Sequence, residues 1–274
     1  MLEKIRSLTY KYAIPAVFII CLLTDFVLFG IGQLLSLLPS TLPMKYLTEI
    51  ILIILPVALV FFFGFSSAFK KGNLLRGLLC LLPLVVWELI MLCAFFAGNL
   101  GNPEVSWKPW YLAVCGVFAV VGIGIREECI FRATIQNILA KKYANSVKGI
   151  WLTAGGSALI FGLTHITNLF FGMNPMAVLT QMLSAAFLGL LLGAVYLRSG
   201  SIWALIIIHT LIDMAGLASS TFLYVSDIEV LNQLSWSWGR VILWAIYVGW
   251  AVFLLRPSKC KQIYNNLCFA AEQP

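Results

Sequence analysis

Apolar residues in this sequence are gathered into long, nearly uninterrupted blocks of about 15 to 25 residues. A strand rarely exceeds about 10 residues and a surface helix needs a polar face, so such blocks must be surrounded by apolar material on every side. A chain of 274 residues with 61% hydrophobic and 11% charged side chains holds more apolar surface than its own interior can hide. Lipid must take the excess, and the block lengths fit a hydrocarbon layer of about 30 Å, which takes about 20 helical residues to cross.

The blocks run over 14–38, 46–65, 74–96, 110–125, 150–171, 175–197, 202–217 and 236–255. They predict an all-α polytopic integral membrane protein with about eight transmembrane helices, forming a single membrane domain over 1–274. The first block follows Lys4, Arg6 and Lys11 like the hydrophobic core of a signal peptide, but it is too long and no small-residue cleavage site follows. It reads as an uncleaved span, in which Asp25 forces a tilt or faces a polar interior.

Basic residues alternate between the two sides. Lys70, Lys71 and Arg76, then Lys141, Lys142 and Lys148, then Arg198, then Arg256, Lys259 and Lys261 share a side with the N-terminus. The other side has Lys45, Lys108 and Arg240, with Glu104, Asp227 and Glu229. Because Lys and Arg are retained in the cytoplasm, both termini are expected there, and the span count is expected to be even. Trp107, Trp110, Trp203, Trp236 and Trp238 suit the headgroup belts. The net charge of +7 therefore has a membrane explanation, and no basic stripe interleaved with aromatics suggests a nucleic-acid partner. Seven cysteines lack the paired two-residue spacing of a zinc site and sit mostly in apolar blocks, which argues against a disulfide framework. Cys268 is not set in a prenylation signal.

Ionisable residues inside spans are costly and are by default functional candidates. Asp25, Glu49, Arg76 and Glu88 are isolated, share no spacing, and are expected at interfaces or in helix pairing. From 110 to 217 the pattern changes. Arg126-Glu127-Glu128-Cys129-Ile130-Phe131-Arg132 puts four charges between apolar flanks. On a helix Glu128 pairs with Arg132 four residues on, while Glu127 points about 100° away. A partly desolvated carboxylate without a cation is suited to act as a general base. The chain's two histidines both lie in apolar segments: His165 in Phe161-Gly162-Leu163-Thr164-His165, and His209 four residues before Asp213, on one helical face. At about 1.5 Å rise per residue, Glu127, His165 and His209 stand ~21, ~25 and ~16 Å from the inner-side residues Lys141, Lys148 and Arg198. Allowing for tilt, they fit one layer between the cytoplasmic face and the midplane. Such a set has the parts to activate water against an amide. Glu127, with His165, would take the proton, and His209 with Asp213 would either hold a divalent metal or stabilise the oxyanion.

At these residues the sequence resembles the CPBP family of intramembrane proteases, also called the Abi or CAAX-protease-like family. The family pattern is a Glu-Glu pair with Arg four after the second Glu, then Phe-x-x-x-His, then His-x-x-x-Asn or Asp. Here these are Glu127, Glu128 and Arg132; Phe161 and His165; and His209 and Asp213, in order and on separate blocks. The resemblance covers 110–217 as a catalytic core and implies a site open toward the cytoplasmic half. It implies that Glu127 and His165 activate water, that Arg132 orients the glutamate pair, and that His209 and Asp213 complete the site. A metalloprotease within the family would hold zinc or a similar divalent ion on Glu127, His165, His209 and Asp213, although a metal-free glutamate mechanism is also argued for some members. The expected partner is a membrane-anchored peptide or protein substrate, and the expected location a bacterial plasma membrane.

Other designs fit less well. There is no His-Glu-x-x-His for a zinc peptidase and no Gly-x-Gly-Asp for an aspartyl type. Gly155-Gly156-Ser157-Ala158 with His209 imitates a Ser-His dyad, but its small residues, like Gly189 and Gly193, read more simply as close helix packing. A proton-coupled transporter would relay protons through the same cluster, yet its usual two related halves are not visible. A non-catalytic immunity or scaffold member of the same fold is the remaining alternative.

Overall fold

Over their described residues all eight apolar blocks are helical, with ends shifted by a few residues; Leu38, the end of the first, lies outside the described residues. The computed structural model describes residues 1–37, 42–70, 72–259 and 262–263, apart from the side chains of Ser36 and of 42–46. Lys71, Lys261 and Cys268, and the side chain of Lys45, lie outside the described residues. The elements are α1 (Leu2–Lys11), α2 (Ala13–Ser36), α3 (Leu42–Phe62), α4 (Leu74–Cys80), α5 (Leu82–Asn99), α6 (Trp110–Glu128), α7 (Asn137–Tyr143), α8 (Val147–Thr164), α9 (Pro175–Ser199), α10 (Ile202–Gly216), α11 (Ala218–Phe222), α12 (Asp227–Asn232) and α13 (Trp238–Leu254). Among the described residues there is no strand. The protein is an all-α polytopic membrane protein. Four segments, Ala13–Leu35, Leu82–Asn99, Val147–Phe171 and Pro175–Ser199, are each long and apolar enough to cross a bilayer; Leu47–Phe62, Ile202–Gly216 and Trp238–Leu254 are shorter apolar helices beside them.

The differences from the predicted blocks have local causes. The third block is split at Leu81, and Pro83, tolerated in a first turn where no N–H is needed, starts the second piece, α5. The fourth block does not stop at Ile125 but runs on through a π-helical stretch, Cys129–Gln136, into α7. The fifth ends in a 3-10 segment, His165–Phe171. Where the boundaries agree, caps set them. Asn174 accepts from the Met176 amide at 2.8 Å with Pro175 following, Gly200 ends α9 with φ +67°, and Ser201 accepts from the Ala204 amide at 3.3 Å to start α10. After the two-residue turn Gly200-Ser201 the chain enters α10, which packs chiefly against α6 and α5.

Burial separates an inner set of helices from an outer one. Half of the apolar window of α8 and of α9 is buried, against 17% for α2 and 11% for α5, whose exposed Phe26, Leu22 and Trp87 face the region that lipid occupies. Every residue from Glu128 to Ala140 is buried, with α3, α8 and α9 packed around this segment. The short α1, which no apolar block predicts as a separate helix, is fastened to the inner end: Arg6 Nε donates to the Phe62 carbonyl at 2.5 Å, Tyr10 to that of Phe63 at 2.7 Å, and Lys142 Nζ to that of Lys11. The N-terminal and 141–142 basic residues thus share one end of the molecule, as the charge alternation requires.

Candidate active site

The π-helical stretch is what sets the first motif in place. Widening the helix turns Arg132, Gln136 and Asn137 toward α9, where Arg132 Nη2 reaches the Gly189 carbonyl at 3.4 Å, Gln136 Nε2 the Gly193 carbonyl at 2.9 Å and Asn137 Nδ2 the Tyr196 hydroxyl at 3.0 Å. Glycine at 189 and 193 is required by this approach, since a Cβ would meet Phe161 Cδ1 and Gln136 Oε1, each at 2.9 Å. Single π-helical turns recur inside α-helices at functional sites, and nothing in the residue pattern announces one.

Glu128 and Arg132 form the expected pair, Nη1 to Oε1 at 2.8 Å, with both side chains almost wholly excluded from solvent at 0% and 1%. The same Oε1 accepts from His209 Nδ1 at 2.6 Å. Glu128 is therefore committed to two partners, and it fixes the ring of His209. The opposite ring nitrogen, Nε2, faces Glu127 Oε2 at 3.3 Å and Asp213 Oδ2 at 3.7 Å. Two bare acceptors would repel at that separation, so a proton on Nε2 or on Glu127 makes the contact attractive. Glu127 is the accessible glutamate, at 27% side-chain exposure against 0% for Glu128. Its neighbour Arg126 turns the other way and pairs with Glu49 at 2.7 Å.

Phe161 joins the three motifs. Its ring lies 4.8 Å from the Arg132 guanidinium carbon, edge-on to His165 at 5.1 Å and to His209 at 5.8 Å, and tilted against Phe131 at 4.8 Å. A guanidinium over an aromatic face is held electrostatically as well as by packing. His165 is partly exposed, and its Nδ1 lies 2.9 Å from the Phe161 carbonyl. A carbonyl only accepts, so Nδ1 carries the proton and a neutral ring leaves the Nε2 lone pair free. At Gly124, one turn before Glu128, a Cβ would stand 2.6 Å from Thr210 Oγ1, so glycine lets α6 approach α10 closely beside His209.

The structure thus brings together Glu127, Glu128, Arg132, His209 and Asp213 through direct contacts, and His165 through the shared Phe161 ring. Arg132 holds one glutamate, Glu128. Ser157 is no dyad partner: it is buried and donates to the Phe131 carbonyl at 2.9 Å. Gly189 and Gly193 are packing glycines as expected, whereas a Cβ at Gly155 would meet nothing within 4 Å. Three acids set aside in the sequence also lie close to this region. Glu49 anchors Arg126, Asp25 is within electrostatic range of Glu127, and Glu88 within range of Asp213. Charge in a span was the only signal that could have found them.

For a divalent metal, the donor set falls short as placed. Among the described residues no group of three or more His, Cys, Asp and Glu side chains is arranged to hold an ion. His209 has Nε2 alone to offer, facing Glu127 and Asp213, and His165 makes no ion-pair contact with that group among the described residues.

Residues 109–215, less than half of the chain, match the family described as type II CAAX prenyl endopeptidase Rce1-like. That segment contains all three motifs, and the family resemblance read from them is borne out there. No curated protein and no solved structure matches the chain.

Proposed function

Residues 109–215 form an Rce1-like segment of the CAAX-protease-like family, and on that premise we propose that the protein is an intramembrane endopeptidase that hydrolyses a peptide bond of a membrane-anchored protein or peptide. The observation that carries this is the packing of Arg132 and of both histidines against one aromatic ring, Phe161, with the accessible Glu127 3.3 Å from His209 Nε2.

Glu127 takes a proton from water as the water oxygen bonds to the scissile carbonyl carbon. The oxyanion that forms is stabilised by Nε2–H of His209 as an imidazolium, pre-oriented by its Nδ1–H bond to Glu128 and therefore not needing to reorganise. Collapse breaks the C–N bond, and the proton on Glu127 passes to the leaving amine, giving one carboxylic acid and one amine. His165, whose Nδ1 is held by the Phe161 carbonyl, serves through Nε2 as a second proton acceptor, and Asp213 balances positive charge on His209. Because the matched family is described as type II CAAX prenyl endopeptidase, a lipidated C-terminal segment is the first substrate class to try, in a bacterial plasma membrane with the site toward the cytoplasm.

The test is reconstitution of the full chain and comparison with Glu127→Ala and His209→Ala for cleavage of a membrane-peptide library, with chelator and metal-content controls. Cleavage by the wild type alone supports the proposal. Loss on chelation with a stoichiometric ion would replace the metal-free route. An inert wild type in which both variants abolish a proton-driven flux or a protective phenotype would transfer the site to a transporter or an immunity protein.

A further inference from the structure

Helix α9 carries none of the three motifs, yet the first two both bond to it. Arg132 Nη2 reaches the Gly189 carbonyl at 3.4 Å. Gln181, about 12 Å earlier along the same helix, accepts from Asn168 Nδ2 at 2.8 Å. Asn168 belongs to the 3-10 segment His165–Phe171, which begins at the histidine of the second motif. Gly162 permits the approach, since a Cβ there would stand 2.7 Å from the carbonyl oxygen of Met182, the neighbour of Gln181.

His165 is tied by its own bonds to α8 alone. Its Nδ1 bonds back to the Phe161 carbonyl at 2.9 Å, an oxygen that also accepts from Thr164 Oγ1 at 2.7 Å. Both bonds stay within the end of α8, so they orient the ring relative to that helix and to no other. Beyond Thr164 the chain winds as a 3-10 helix, whose hydrogen bonds have poorer geometry, and it stops at Gly172 with φ +85°. Among the described residues, Asn168 to Gln181 is the one side-chain hydrogen bond from this segment to any helix but α8.

Residues three apart eclipse in a 3-10 helix, so Asn168 stands on the same face as His165, about 6 Å further along. A tie at Asn168 therefore sets the rotation of the segment about its axis, and with it the direction of His165 Nε2. Bonds between the amides of two spans serve helix association in general. This one is distinguished by its place, on the face of a partly exposed histidine and on the helix that also receives Arg132.

We propose that Asn168 and Gln181 are positioning residues that fix His165 to α9, and through α9 to the Glu128–Arg132 pair. The effect on catalysis rests on the reading of His165 as a proton acceptor; the placement of its ring does not.

The test labels the histidine rings of the full chain, two in number, with the heavy nitrogen isotope for magnetic resonance and assigns His165 by its loss in His165→Gln. In the wild type the His165 ring is expected as a single Nδ1–H tautomer. Gln181→Leu, and Asn168→Ala from the other side, are expected to move that signal toward a solvent-like mixture of tautomers while His209 stays unmoved. On any cleaved peptide, kcat is expected to fall about tenfold with KM little changed. The exchange Asn168→Gln/Gln181→Asn keeps an amide pair of the same combined length and is expected to restore both readouts. Thermal unfolding checks that each variant is folded. A His165 signal unmoved in the folded single variants would overturn the proposal, whether or not the chain cleaves any peptide. A signal that moves as expected in a chain whose wild type cleaves nothing would uphold the positioning and count against the protease reading instead.

Discussion

The Glu128–Arg132 pair has a cost that unfolding experiments can read. The 2.8 Å contact lies between side chains 0% and 1% exposed, so neither charge has water to fall back on. Replacing Glu128 by Gln keeps the shape but leaves a buried guanidinium whose other contacts are the long 3.4 Å bond to Gly189 and the Phe161 face. Breaking a buried pair from one side costs about 3–5 kcal/mol. Replacing Arg132 by Met should fall toward the lower end, because His209 Nδ1 remains 2.6 Å from Glu128 Oε1 and continues to hold the carboxylate. The double variant Glu128→Gln/Arg132→Met removes both charges and should cost less than the sum of the singles by roughly 0.5–3 kcal/mol. Unfolding of all four proteins in the same detergent, by denaturant or heat, measures the cycle. Additive effects, or single losses below about 1 kcal/mol, would refute the claim that this pair is desolvated and coupled.

Three further outcomes follow from the same geometry. Gly189→Ala places a methyl 2.9 Å from Phe161 Cδ1 and should cost about 1–3 kcal/mol, with a parallel loss of activity as the ring beneath both histidines shifts; thermal unfolding and cleavage rates check both. Ser157→Ala loses one buried hydrogen bond to Phe131, worth about 1 kcal/mol, and should keep its activity, whereas inactivation of a folded variant would reinstate a serine nucleophile. Asp213→Asn removes the carboxylate 3.7 Å from His209 Nε2 and should lower kcat by at least about tenfold with KM little changed, which steady-state kinetics on any cleaved peptide would show.

Much of this was legible from the sequence because membrane spans are written in long blocks and because helical spacing is rigid. The Glu128–Arg132 and His209–Asp213 contacts are both four-residue pairs, and each is found. The contacts that join the motifs were not legible. That Glu128 Oε1 serves Arg132 and His209 together depends on how closely α6 approaches α10 at Gly124, a property of two helices and not of either sequence segment. The role of Phe161 depends on the π-helical turn that brings Arg132 over its ring, and a helical periodicity of 3.6 cannot announce a local change of pitch. Asp25, Glu49 and Glu88 share no spacing with the motifs, so their closeness to the site became visible only in three dimensions.

The proposed mechanism makes Glu127 the base that activates water and leaves Glu128 a structural role. Glu127→Gln keeps the size and hydrogen-bonding reach of the side chain but cannot take a proton. Single-turnover cleavage of a reconstituted substrate should therefore fall by about 10²–10⁴-fold, with substrate binding and thermal unfolding unchanged. A folded Glu127→Gln protein that retains more than about a tenth of the wild-type rate would contradict that assignment.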